Sequence, residues 1–263
     1  MREIASVNNQ KIKDVTALHQ RKNRTKEGLF LIEGEKGVVE ALYYGIKFES
    51  IFVAADCGLD TSLFPDEILY TVNDAVMKKI STTDSPPNIM AVAYQKQYRL
   101  KDLFNQENPL VLVLENIKDA GNLGTIIRTA CACGVSGIAL TDNTVDIYNP
   151  KTVRASVGNL WKIPIVYIQG KSELKSRLNG IKKCQFLATV VKDDASQKLF
   201  FDVDYTAPTV IMFGSEAEGL SEELARQADV YVTIPMSGGV ESLNLSVSVG
   251  VILYEALRQK SFR

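Results

Sequence analysis

Six near-continuous apolar runs mark the second half of the chain: Leu110 to Leu114, Gly137 to Leu140, Ile163 to Ile168, Phe186 to Val191, Val210 to Phe213 and Val230 to Ile234. Runs without polar alternation offer no solvent face, so they predict strands buried on both faces of a mostly parallel sheet. The segments between them are long enough for covering helices, and Leu245 to Arg258 carries apolar residues at helical intervals and predicts a closing helix. Several runs end in glycine-bearing loops, and open parallel sheets bind ligands beyond the carboxyl ends of their strands.

Before Pro109 the pattern is different. From Gly28 to Val92, FLIEG, GVVEALYYG, SIFVA, ILYTV and DAVMKKI alternate extended and helical spacing, which predicts a small α/β layer domain. The stretch up to Pro109 is polar and charged and reads as a linker. The expected organisation is therefore a first domain over residues 1–95, a linker over 96–108 and an α/β sheet domain over 109–263. A length of 263 residues suits two such domains. No apolar run approaches the length of a membrane span, and the opening MREIASVNNQ has charges and amides where a secretory signal needs an apolar stretch. The expected location is the cytoplasm, with no membrane partner.

Thirty basic residues against 31 acidic ones leave the chain nearly neutral, so any polyanion site must come from local clustering. Between Lys11 and Lys26 the basic residues Lys11, Lys13, Arg21, Lys22, Arg24 and Lys26 face a single acid, Asp14. This is either a phosphate-contacting patch or a solvated helix face. Cys57, Cys131, Cys133 and Cys184 lack the spacing of a zinc site and read as reduced structural thiols, so no metal is expected. The one histidine, His19, lies far from the glycine-rich loops, which leaves a histidine base badly placed.

Three loops carry the candidate chemistry. In ENIKDAGNLGTIIRTA, from Glu115 to Ala130, Asn122 stands where it can cap a helix and Arg128 follows six residues later. A capped helix with a surface arginine explains the same text. In IMFGSEAEGLSEEL, from Ile211 to Leu224, Glu218 reads as an acid at a helix start, whereas Glu216 sits deeper in the turn and suits a hydrogen-bonding role. In IPMSGGVESLNLSVSVG, from Ile234 to Gly250, Ser242 either caps the last helix or joins a nucleoside-like pocket.

Together the loops resemble the three signature motifs of the SpoU (TrmH-like) class of SPOUT RNA methyltransferases. Asn122, Gly124 and Arg128 match N-x-G-x-x-x-R; Gly214, Ser215, Glu216 and Gly219 match G-S-E-x-x-G; Ile234, Pro235, Met236, Ser242, Leu243 and Asn244 match I-P-M with S-L-N. VRASVGN, from Val153 to Asn159, looks like the R-x-S-x-G segment of the class, and Ala120 departs from it where many members have proline. The stretch NNQKIKDVTALHQRKNRTKEGLFLIEG is similar to the opening of the L30e-like substrate-binding domain that many ribosomal RNA members carry.

The resemblance implies a trefoil-knotted, mostly parallel SPOUT sheet domain, a homodimer, and transfer of a methyl group from S-adenosyl-L-methionine to a ribose 2'-hydroxyl of RNA, ribosomal RNA above all. By the same carry-over, Gly214, Ile234, Met236 and Leu243 hold the adenosyl group. Asn122, Arg128, Glu216, Ser242 and Asn244 form the catalytic set, and Lys11, Lys13, Arg21, Lys22, Arg24 and Arg154 contact RNA. The class assigns Arg128 the role of base; because arginine stays charged in proteins, an anchoring role at the phosphate or alkoxide is the alternative. Other readings are a transfer RNA substrate, an RNA-binding homologue without activity, and a dinucleotide oxidoreductase. The last lacks G-x-G-x-x-G after its first strand.

Overall fold

The structure is a computed structural model and describes residues 2–55, 58, 60–141, 143–191 and 197–261. Cys57 lies outside the described residues. The chain divides into two compact units, residues 1–96 with 146–161, and residues 97–145 with 162–263.

In the first unit, β1 (Arg2–Ile4) leads to α1 (Gln10–Ala17), whose first turn is capped by the Asn9 side chain accepting from Lys11 N–H. Then come α2 (Arg21–Glu27), stopped by Gly28 in the left-handed region, β2 (Leu29–Glu33), α3 (Glu35–Tyr43), β3 (Phe48–Ala54), β4 (Leu69–Val72), α4 (Asp74–Ile80) and β5 (Ile89–Tyr94). The sheet order is β1-β4-β3-β5-β2, with β5 antiparallel to both neighbours and the other pairs parallel. Ile12 and Val15 from α1 and Val76 and Met77 from α4 pack with Leu31, Phe52 and Val92 from the sheet.

The second unit starts inside the expected linker. A 3-10 turn over Leu100–Phe104 buries Leu103 and Phe104, and a Cβ built on Gly137 would stand 2.5 Å from the Leu103 side chain. Next follow β6 (Leu110–Leu114), α5 (Ala120–Ala132) and β7 (Gly137–Thr141). Residues 146–161, with α6 (Pro150–Ala155), belong to the first unit. The second unit resumes with β8 (Ile165–Ile168), α7 (Leu174–Asn179), β9 (Gln185–Thr189), β10 (Lys198–Leu199), β11 (Thr209–Phe213), α8 (Glu222–Ala225), β12 (Val230–Thr233) and α9 (Leu245–Ser261).

The strands run in the order β10-β12-β9-β11-β6-β7-β8 and every pairing is parallel. β6, β7 and β11 are buried at every position, as uninterrupted apolar runs require. From β6 the chain builds outward on one side through β7 to β8, while its other neighbour is the late strand β11. That reversal opens a crevice at the carboxyl ends of β6 and β11, where the first two motif loops emerge.

Candidate active site

Leaving β11, the chain turns back at once. Ser215 and Gly219 exchange both backbone hydrogen bonds, at 3.1 and 3.0 Å, and the Ser215 hydroxyl accepts from Glu218 N–H. A Cβ on Gly214 would lie 1.9 Å from the Gly219 carbonyl carbon, and Gly219 itself has φ +69°. Both glycines are thus required by the shape of the turn, one by contact and one by backbone conformation. The turn projects Glu216 outward.

Glu216 Oε1 accepts the Asn122 side-chain amide at 2.7 Å, and Asn122 Oδ1 accepts the Asn244 amide at 3.2 Å. One chain of hydrogen bonds therefore joins all three motif loops. Asn122 is not the cap of α5: Asp119 is, its carboxylate accepting Asn122 N–H at 2.7 Å. Freed from capping, the Asn122 amide spans Glu216 and Asn244. The cap of α9 is Asn244, whose Oδ1 accepts from Ser246 N–H at 2.9 Å, so Ser242 has no capping role there.

Beside this network lies a cavity of about 850 Å³, bordered by Gly214, Glu216, Ile234, Met236, Ser242 and Leu243. Its apolar lining includes Val232 and Ile252, and polar residues along it include Thr189, Ser215 and Ser242. Size, apolar walls and a few convergent polar groups fit a nucleoside-bearing cofactor.

Arg128 stands apart. It is exposed on α5 and forms no hydrogen bond or ion pair among the described residues. Six residues beyond Asn122, it is about 9 Å further along the helix and about 240° around it, so Asn122 and Glu216 do not hold it within the chain.

Glu115, just past β6, escaped the sequence reading although a lone acid ending a buried run was its signal. It is 2% exposed, accepts from Lys171 Nζ, and accepts Ser221 N–H at 2.7 Å, which ties the Gly214 loop to the end of β6. Burial alone raises its pKa, but the Lys171 ammonium and the Ser221 hydrogen bonds outweigh burial and hold it below the ordinary carboxylate value.

In the first unit, Lys13, Arg21 and Lys22 are exposed, whereas Lys11 pairs with Glu49 at 2.6 Å. Arg24 corrects the expected patch. It is 2% exposed, pairs with Asp146 at 2.7 Å and donates to the carbonyls of Leu18 and His19, which leaves no face for a phosphate. Arg154 pairs with the nearly buried Glu33 at 3.0 Å and keeps about a third of its side chain exposed. Cys131, Cys133 and Cys184 form no disulfide among the described residues, and burial pushes the pKa of the first two up to about 11.

Residues 109–254 match the SpoU rRNA Methylase family and residues 9–91 the MRM3-like substrate binding domain. An uncharacterized tRNA/rRNA methyltransferase of Synechocystis sp. is 35% identical over 98% of this chain and 94% of its own. The 23S rRNA (guanosine(2553)-2'-O)-methyltransferase RlmP of Bacillus subtilis is 30% identical over 97% of this chain and 98% of its own. The crystal structure of an AdoMet-bound rRNA methyltransferase from Sinorhizobium meliloti superposes with a TM-score of 0.86 at 33% identity, covering 100% of this chain and 99% of that one. The class these findings define is the S-adenosylmethionine-dependent RNA 2'-O-ribose methyltransferase. Within it, the chain belongs to the SpoU rRNA methylase family, with an MRM3-like substrate-binding domain at its N-terminal side.

Proposed function

We propose that this protein methylates a ribose of ribosomal RNA, with the cofactor in the cavity beside Gly214 and the reaction at the Asn244–Asn122–Glu216 network. That network is the observation carrying the reading: three loops far apart in sequence converge through side-chain hydrogen bonds on the rim of one cavity. The full-length likeness to RlmP supports ribosomal over transfer RNA, since it includes the substrate-binding unit.

In this reading Gly214, Ile234, Met236 and Leu243 hold the adenosyl group through backbone groups and apolar contact. The bound cofactor supplies a methyl already activated on a sulfonium, so the protein's share is positioning and managing one hydroxyl proton. Glu216 and Asn244 fix the Asn122 amide from both sides. Ser242 completes the rim. Arg128 grips the phosphate beside the target ribose and stabilises negative charge growing on the 2'-oxygen, a task suited to a permanently charged, planar fork.

The same reading includes a homodimer, a trefoil-knotted path for the segment after β11 and a cytoplasmic location. Arg128, exposed on α5 with no partner among the described residues, supports an active form with a second protein surface nearby, and sedimentation of the purified protein tests it. Lys13, Arg21, Lys22 and the exposed parts of Lys11 and Arg154 supply RNA contacts. The test of the function is to map 2'-O-methyl sites in total RNA with and without the gene: one ribosomal site is lost without it.

A further inference from the structure

Two arginines of the first unit meet a carboxylate in different ways. Arg24 uses its whole guanidinium inside the protein: Nε and Nη2 bind Asp146, Nη1 donates to the carbonyls of Leu18 and His19, and the residue is 2% exposed. Arg154 engages through a single nitrogen. Its Nη1 donates to Glu33 Oε1 at 3.0 Å and to the Thr82 hydroxyl, which occupies both Nη1 hydrogens. Nε and Nη2, the edge that grips an oxyanion in bidentate fashion, have no partner among the described residues. About a third of the side chain is exposed.

The surroundings of Glu33 explain why it holds the arginine end-on. Glu33 ends β2 with its side chain 3% exposed, and Oε2 accepts from the Ser81 hydroxyl at 2.9 Å. Oε1 accepts from the Thr82 hydroxyl as well as from Arg154. Ser81 is buried and caps the end of α4, so the carboxylate is fixed between two elements of the unit. A guanidinium pinned at one nitrogen loses less freedom when its other edge binds. Glu33 and Thr82 fall within the match to the substrate-binding domain, whereas Arg154 falls within the match to the methylase family. In an RNA methyltransferase, the anion that suits this planar edge is a backbone phosphate.

We propose that Glu33 is a positioning residue for the RNA substrate: it holds Arg154 by Nη1 so that the Nε–Nη2 edge takes a phosphate, which rests on the reading of Arg154 as an RNA contact. Aim and charge act with opposite sign here. Removing a carboxylate makes the surroundings more positive and by itself tightens binding of a polyanion. Losing the aim of Arg154 weakens it.

The test is the affinity of the full-length protein for protein-free ribosomal RNA across a range of salt, in Arg154→Ala, Glu33→Met and the double variant. Arg154→Ala is expected to weaken binding about tenfold and to flatten the salt dependence by roughly 0.7 to 0.9 in log-log slope, one phosphate contact. Glu33→Met is expected to weaken binding about fivefold to tenfold although it removes a negative charge, and to cost nothing further once Arg154 is replaced. Thr82→Val removes only the second acceptor of Nη1 and gives about a threefold loss with the same dependence on Arg154. It stands in should the methionine variant fold poorly. Cofactor affinity by calorimetry stays at the wild-type value throughout, since none of these residues lines the cavity. Binding that is unchanged or tighter in Glu33→Met, or in Thr82→Val where the former does not fold, overturns the positioning role, as does a loss that persists on top of Arg154→Ala. An Arg154→Ala protein that binds RNA with wild-type affinity and slope overturns the Arg154 contact itself and the proposal with it, a separate outcome.

Discussion

The Asn122 side-chain amide donates to Glu216 Oε1 at 2.7 Å across 94 residues of sequence. The bond is available because Asp119 has taken over the capping of α5. Asn122 then reaches Glu216 on one side and accepts from Asn244 on the other, so one amide sets the spacing of three loops.

Asn122→Ala is expected to lower single-turnover methyl transfer at least about a hundredfold, the scale of losing a positioned polar group at a reacting centre. Cofactor affinity by calorimetry should change far less, because Asn122 is not among the cavity-lining residues. A parallel loss of affinity would place Asn122 in cofactor binding.

Arg128→Ala is expected to abolish transfer while leaving cofactor affinity near wild type, since the guanidinium is exposed and is not among the cavity lining. Arg128→Lys should fail nearly as badly, because an ammonium lacks the planar fork. Near wild-type turnover in the lysine variant would refute bidentate anchoring.

Gly214→Ala forces a Cβ to within 1.9 Å of the Gly219 backbone, so the turn must open. The expected cost is about 1–3 kcal/mol of stability, typical of overpacking, with loss of cofactor binding. Thermal unfolding and calorimetry on the same sample check both.

Glu115→Gln removes a charge buried against Lys171 and should destabilise the protein by about 1–3 kcal/mol near neutral pH. Because the folded-state pKa of Glu115 is lowered, its contribution is present above the unfolded carboxylate value and is lost as pH falls through the lowered one. The melting difference between wild type and variant should therefore be steady at neutral pH and shrink in acid. A difference that stays constant into strong acid would contradict the assigned ion pair.

The parallel sheet and its strand sites were legible because burial on both faces leaves unbroken apolar runs, and the three motif loops because each follows such a run. What stayed hidden depends on which way side chains face. Arg24 reads as one more cation in a basic stretch, but three residues after Arg21 on α2 it turns inward to Asp146, a partner 122 residues away. Residues 146–161 look like part of the sheet domain because they lie between two of its strands, yet they pack into the first unit. Leu103 and Phe104 sit in too polar a stretch for five residues to reveal a buried turn.

These facings separate two classes of basic residue. Replacing Lys13, Arg21 and Lys22 with Ala should weaken RNA binding and flatten its salt dependence by roughly 0.7 to 0.9 in log-log slope for each phosphate that is no longer neutralised. Arg24→Ala should instead lower stability by about 3 kcal/mol or more, the cost of stranding a buried partner. Unchanged slopes in the triple variant would mean those cations are only a solvated face.

The most direct measurement of the central claim is transfer of a labelled methyl group from S-adenosylmethionine to ribosomal RNA by the purified protein, followed by digestion to nucleosides. Label is expected on a ribose 2'-oxygen at one position, and it is expected to be lost in Asn122→Ala and Arg128→Ala although both still bind cofactor. Label on a base, or no transfer by protein that binds both cofactor and ribosomal RNA, would contradict it.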